Sequence, residues 1–174
     1  MRVDIWSDVV CPFCYIGKKR LEAVAKEAEI ELEIHWHSYQ LDPEAPQSQS
    51  ISNTERLAQK YGRTLAEVEE MQRNIADMAK AEGIEFNWQQ ANSGNTFNAH
   101  RLIHLAQSKG LGNEAQEALF YSYMTQGLKI GERETLEDVA ARIGLNPVEV
   151  DDLLDGNEFA DFVEFDQEVA REQL

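Results

Sequence analysis

Residues 3–17 read Val3-Asp4-Ile5-Trp6-Ser7-Asp8-Val9-Val10-Cys11-Pro12-Phe13-Cys14-Tyr15-Ile16-Gly17. Arg2 to Trp6 alternates, with Val3 and Ile5 on one side, which predicts a short strand. Ser7 and Asp8 mark a turn. Cys11-Pro12 then opens a helix, because proline is tolerated in the first turn, where its missing N–H costs nothing. Phe13, Ile16, Leu21, Val24, Ala25 and Ala28 give that helix an apolar stripe, and Gly17 lets it lie close to a sheet. From Ile30 to Tyr39 the alternation returns, with Ile30, Leu32, Ile34 and Trp36 set against Glu31, Glu33, His35 and His37. Strand, helix and strand in succession predict a βαβ unit with a parallel pair.

After Leu41 the pattern changes. Asp42 to Asn53 carries two prolines and reads as a loop. Beyond it the spacing is helical. Thr64 and Glu67 form a capping box, followed by a stripe of Leu65, Val68, Met71, Ile75 and Met78. Ile84 and Phe86 suggest a short extended piece. Further helices are expected over Thr96 to Lys109, from Asn113 to about Gln126, from Thr135 to Gly144, and from Asn146-Pro147 to Asp155. Phe159, Phe162, Val163 and Val169 mark a last helix running to the end of the chain. The expected fold class is α/β, with three parts. Residues 1–41 form the βαβ unit, 42–156 a large inserted all-helical domain, and 157–174 a helix returning to the first part.

The chemistry sits where the first strand gives way to the helix. First-turn amides are unpaired donors, and the helix dipole adds partial positive charge. A thiolate at Cys11 accepts those bonds better than a thiol does. Its pKa is therefore expected to fall from ~8.5 into the range of roughly 3.5–7.5. Cys14, one turn on and expected to be more buried, would resolve the mixed disulfide. Lys18, Lys19 and Arg20 add nearby positive charge. The 174-residue chain holds only these two cysteines, so they make no disulfide framework. Half of a metal site with His35 and His37 is the competing reading. Zinc normally recruits a second close-spaced pair, which is missing, so the expectation is no metal. Asp8 reads as a turn residue, with a proton relay as its alternative.

Composition narrows the partners. The formal net charge is −16, with hydrophobic residues at 43%. Such a surface repels phosphate backbones and anionic lipid, which argues against nucleic acid and membrane surfaces as partners. No apolar run approaches the ~20 residues of a membrane span. The N-terminus lacks a signal-peptide pattern, so the expected location is cytoplasmic.

The stretch around Cys11-Pro12-Phe13-Cys14 resembles the DsbA-like thioredoxin-fold family, and within it the FrnE-like cytosolic oxidoreductases. Kappa-class glutathione transferases and 2-hydroxychromene-2-carboxylate isomerases are relatives of that branch. His35-Trp36, Gln40-Leu41-Asp42-Pro43 and Asn95-Thr96-Phe97-Asn98-Ala99-His100-Arg101-Leu102 agree with it, as do Glu117-Ala118-Leu119-Phe120, Gly127 and Ile130-Gly131. The resemblance implies a thioredoxin fold with an inserted helical domain and thiol–disulfide exchange at Cys11 and Cys14. It also implies that Asn95, Thr96 and His100 lie in the interdomain cleft, where with Pro12 and Phe13 they would contact substrate. Read without the family, Asn95 or Thr96 is a helix cap and His100 a surface histidine.

Two departures matter. The transferase and isomerase relatives carry serine at the first active-site position, so Cys11 favours redox exchange over their chemistry. The family also continues past its last helix into a cis-proline loop, a hairpin and a final helix. Here Pro12, Pro43, Pro46 and Pro147 are the only prolines, and none fits that loop. The C-terminal part of the fold is therefore expected to be missing, with an unpaired strand edge or a homodimer or strand exchange that supplies the rest. The leading function is protein thiol–disulfide oxidoreductase, acting on protein or small-molecule thiols and disulfides, with no cofactor beyond the cysteine pair and with glutathione as a candidate co-substrate. The alternatives are a glutathione-dependent transferase or isomerase, and a non-enzymatic thiol or metal-binding protein.

Overall fold

The computed structural model describes residues 1–48 and 50–173. β1 (Arg2–Ser7) leads into α1 (Pro12–Glu27) and β2 (Glu33–Ser38). The two strands pair parallel, from Arg2 opposite Glu33 to Ser7 opposite Ser38. Seven helices follow: α2 (Asn53–Tyr61), α3 (Leu65–Ala81), α4 (Phe97–Ser108), α5 (Gly112–Met124), α6 (Arg133–Arg142), α7 (Pro147–Asp155) and α8 (Ala160–Gln173). The result is an α/β core of two parallel strands flanked by helices, with a large helical insertion and an open sheet.

The helices start where local chemistry permits. Ser52 and Thr64 each close a capping box, with Glu55 and Glu67 respectively. The Ser52–Glu55 box went unread in the sequence because it follows directly on a Ser/Pro-rich loop. Asn146 caps α7 through the Val148 amide, with Pro147 in the first turn. Thr135 does not open α6. That helix begins at Arg133, and Thr135 is buried within it. Ile84 and Phe86 are buried in irregular backbone and form no strand. Their side chains fill the core without a neighbouring strand to pair with.

Apolar spacing located the core but not every helix face. Trp36 is 1% exposed and meets Phe120 edge to face, with ring centroids 6.5 Å apart. Leu102, Leu119, Leu136 and Val139 are fully buried around them. On α3 the buried line is Val68, Gln72, Ile75 and Ala79, while Leu65 and Met78 are exposed. The true stripe is thus rotated from the apolar one and contains a glutamine. On α8 the buried line is Val163, Asp166, Gln167 and Ala170, and Phe162 is left 59% exposed.

Those polar residues have a task at the sheet. In a parallel pair, alternate residues turn both backbone groups to the same edge. The Glu33 amide takes the Met1 carbonyl and the Tyr39 amide takes the Ser7 carbonyl. Trp36, Ser38 and Gln40 therefore face away from β1. Their amides are met by Gln107 Oε1 at 2.9 Å, Asp166 Oδ2 at 2.8 Å and Gln167 Oε1 at 3.3 Å. Gln107 Nε2 also donates to the Trp36 carbonyl. Side chains of α4 and α8 thus take up the outer backbone edge of β2. The alternate groups of β1, at Arg2, Asp4 and Trp6, have no such backbone partner among the described residues. The expected unpaired edge is present on β1 alone.

Candidate active site

Cys11 is the N-cap residue of α1, extended at φ −91° and ψ 110°, with Pro12 in the first turn and no side-chain cap. Its amide donates to the Asp8 carbonyl at 3.0 Å, which holds the turn before the helix. The amides of Cys14 and Phe13 reach the Cys11 sulfur. Both cysteines are unbridged and part-buried, and Cys14 packs against the hydrophobic core.

The two sulfurs share a hydrogen bond. It raises the Cys11 thiol, which donates to Cys14 and is raised further by burial. Cys14 falls to about 6, first because it accepts from Cys11, then because the Ser7 side chain and the Asp8 backbone favour its charge. The expectation had placed the acidic sulfur at Cys11. In this geometry the two sulfurs share one proton, and the low value belongs to the pair and not to either sulfur alone.

Asp8 is both turn and buried acid. Its Oδ2 accepts from the Leu41 amide at 2.8 Å. Its Oδ1 lies 3.4 Å from His100 Nε2. His100, expected at the surface if read without the family, is 1% exposed in the first turns of α4.

A cavity opens beside the cysteines, enclosing about 1040 Å³ with its mouth included. Cys11, Pro12, Phe13 and Thr96 all line it, and Cys14 does not. Asn95 and His100 stand outside that wall. Asn95 is instead a fastener. Its Nδ2 donates to the carbonyls of Pro43 at 2.9 Å and Ala45 at 3.1 Å, and its amide donates to that of Pro46. Its Oδ1 accepts from the Phe97 amide, so it also caps α4. Gln40 Nε2 bridges Asn95 Oδ1 and Thr96 Oγ1. Asn95 and Thr96 thereby fix the strap that follows β2 and forms one wall of the cavity.

The other wall comes from α2 and α3, through Arg56, Leu57, Lys60, Met71, Gln72 and Ile75. None of these was singled out as a site residue. The one available signal was Gln72, a polar residue within an apolar helical stripe. The basic run beyond Cys14 is largely neutralised, since Glu117 accepts from Lys18, Lys19 and Tyr15. His37 is held between Asp4 and Asp166. Among the described residues no three His, Cys, Asp or Glu side chains gather as a metal site. No helix among them is long and apolar enough to cross a membrane.

A strand, an N-capping cysteine and a second cysteine one turn later, under an inserted helical layer, define a thioredoxin-type disulfide site. The chain belongs to the DSBA-like thioredoxin domain family, whose model matches residues 2–173. A probable DsbA oxidoreductase from Streptomyces coelicolor superposes with a TM-score of 0.91 at 30% identity, over 100% of this chain and 76% of that one. The cytosolic disulfide reductase DsbM from Pseudomonas aeruginosa, solved with GSH, gives 0.67 at 16% identity, over 98% of this chain and 80% of that one, a likeness of fold. The uncharacterized protein YwbO of Bacillus subtilis is 26% identical over 148 residues, covering 84% of this chain and 68% of its own length.

Proposed function

We propose that the chain is a cytoplasmic thiol–disulfide oxidoreductase of the FrnE-like branch. The observation that carries this reading is the hydrogen-bonded sulfur pair at the start of α1, with two amides aimed at Cys11. Cys11 faces the cavity and is the nucleophile. The proton between the sulfurs moves to Cys14 as Cys11 attacks, and the Phe13 and Cys14 amides hold the thiolate. Cys11 displaces one sulfur of the substrate and forms a mixed disulfide. Cys14 then attacks Cys11 and releases the second sulfur. Run in reverse, the oxidised pair passes its disulfide to a dithiol. Glutathione suits the role of co-substrate because the pair needs a small thiol to reset it. Residues 1–41 supply the chemistry, 42–156 the cover over it, and 157–174 the support behind β2.

Trapping tests the assignment. Reduced Cys14→Ser protein, mixed with a disulfide substrate, should accumulate a covalent adduct on Cys11 visible by mass spectrometry. Cys11→Ser should form none and should lose exchange. Exchange by Cys11→Ser at the parent rate would remove Cys11 from the role.

A further inference from the structure

The cavity beside Cys11 has unequal polar needs. Leu57, Met71, Ile75 and Phe86 make its walls apolar. Gln72 lines it at 2% exposure, its Oε1 engaged by the Thr54 hydroxyl at 2.8 Å. Gln72 Nε2 is buried and has no partner among the described residues. A buried donor left in this state costs roughly 1–3 kcal/mol, which an incoming acceptor would recover.

The charges point the same way. Arg56 is paired with Asp42 at 3.3 Å and with Asn53. Lys60, also on the cavity wall, has no carboxylate partner among the described residues and only a long bond to the Leu41 carbonyl. The one buried acid on the wall, Asp8, is set against His100. On a chain of net charge −16, this is a local site for an anion.

Resting on the reading that Cys11 and Cys14 exchange disulfides, we propose that this cavity selects small organic disulfides with an apolar body and a carboxylate. The body lies against Leu57, Met71 and Ile75, the carboxylate meets Gln72 Nε2 and Lys60, and the S–S bond lies over Cys11. In one turnover the Cys11 thiolate displaces one ligand thiolate and forms the mixed disulfide. Cys14 displaces the other as the protein disulfide forms. The protein pair, one thiol and one thiolate, is oxidised to a disulfide, the ligand disulfide is reduced, and its two sulfurs leave as one thiol, which takes the shared proton, and one thiolate.

Single-turnover rates of the reduced full chain test this. The probes are dithiobis-nitrobenzoate, an aromatic dicarboxylate disulfide, and uncharged dithiodipyridine, with glutathione disulfide as a polar anion and insulin as a protein. Each rate is divided by that of the same probe with free cysteine, or with dithiothreitol for insulin. Dithiobis-nitrobenzoate should rank first. Lys60→Gln, a surface change, should slow it about fivefold, as expected for one exposed charge contact, and leave dithiodipyridine within about twofold. Gln72→Met should act in the same direction. An unmoved ratio in both variants, or a higher normalised rate for glutathione disulfide or insulin, overturns the proposal. If Cys11→Ser reacts like the parent with every probe, the exchange reading itself fails. If Cys11 is required but the ratio stays fixed, only the ligand assignment fails.

Discussion

Asp8 and His100 face each other at 3.4 Å inside the protein, each side chain 1% exposed. Neither Asp8 Oδ1 nor His100 Nε2 has a hydrogen bond among the described residues. The pair joins the turn before Cys11 to α4 across the site. Removing one member leaves the other's polar atom alone in a dry interior, a penalty of about 1–3 kcal/mol. His100→Leu and Asp8→Asn should each lower urea-unfolding stability by more than ~1 kcal/mol, and the double variant by less than their sum. Strict additivity would show that the two do not interact.

The thiol pair should titrate in two separated steps. Thiolate absorbance of the reduced protein should rise with a first midpoint at about 6, while the second thiol stays protonated well above the ordinary cysteine range. Cys14→Ser breaks the sulfur–sulfur hydrogen bond, so the two steps should collapse to the single step of Cys11. A single two-thiol step near ~8.5, the free-cysteine value, would contradict the shared proton.

His37 supplies a pH dependence of opposite sense to that of Asp166. Its Nδ1 lies 2.8 Å from Asp166 Oδ1 and its Nε2 lies 3.0 Å from Asp4 Oδ1. Both acceptors are carboxylates, so the site favours the protonated ring, which can donate from both nitrogens; the ring is stacked on Trp6 at 4.3 Å. Its pKa is raised, first by Asp166. That contribution is fully present below the unfolded value of ~6.5 and fades as pH rises through the higher folded one. Asp166 is lowered despite its burial, by His104, His37 and the Ser38 amide. Its share is present above an unfolded value of ~3.9 and is lost as pH falls through the depressed folded one. Attachment of α8 to β2 should therefore be firmest between about pH 4 and 6.5. Urea midpoints should decline toward pH 8.5, and His37→Gln should flatten that decline. An equal slope in the variant would clear His37 of the effect.

Gly94 and Gly131 close on the Gln47 carbonyl from two sides, and a Cβ at either would collide with it. Neither has a positive φ, so close approach rather than backbone freedom demands glycine. Gly131→Ala should displace the strap at residues 42–48 and lower stability by about 1–3 kcal/mol. Limited proteolysis should then cut within the strap. An alanine variant as stable and resistant as the parent would show that the strap yields freely.

The βαβ start, the Thr64–Glu67 capping box, the Asn146-Pro147 opening of α7 and the cysteine pair were legible because each depends on local spacing. Cys11-Pro12 announced α1, and alternation announced β2, although β2 begins at Glu33 rather than Ile30. The cavity was not legible. Arg56, Leu57 and Lys60 share a cavity with Cys11 only through tertiary packing of α2, and nothing local marks them. Asn95 was legible as a cap, but its hold on Pro43, Ala45 and Pro46 spans fifty residues. The shared proton depends on the two sulfurs hydrogen-bonding to each other, with the Ser7 side chain and the Asp8 backbone beside Cys14, a relation that helix-terminus reasoning about Cys11 leaves out.

Gln107, Asp166 and Gln167 occupy the outer rim of β2, so among the described residues the rim open to an arriving strand is the one alongside β1. Edge-to-edge joining of two such molecules must then use the same rim on both, with the strands antiparallel about a twofold axis. That arrangement consumes both berths at once. Assembly by this route ends at a pair and cannot propagate into a fibre, because the opposite rim is already plugged.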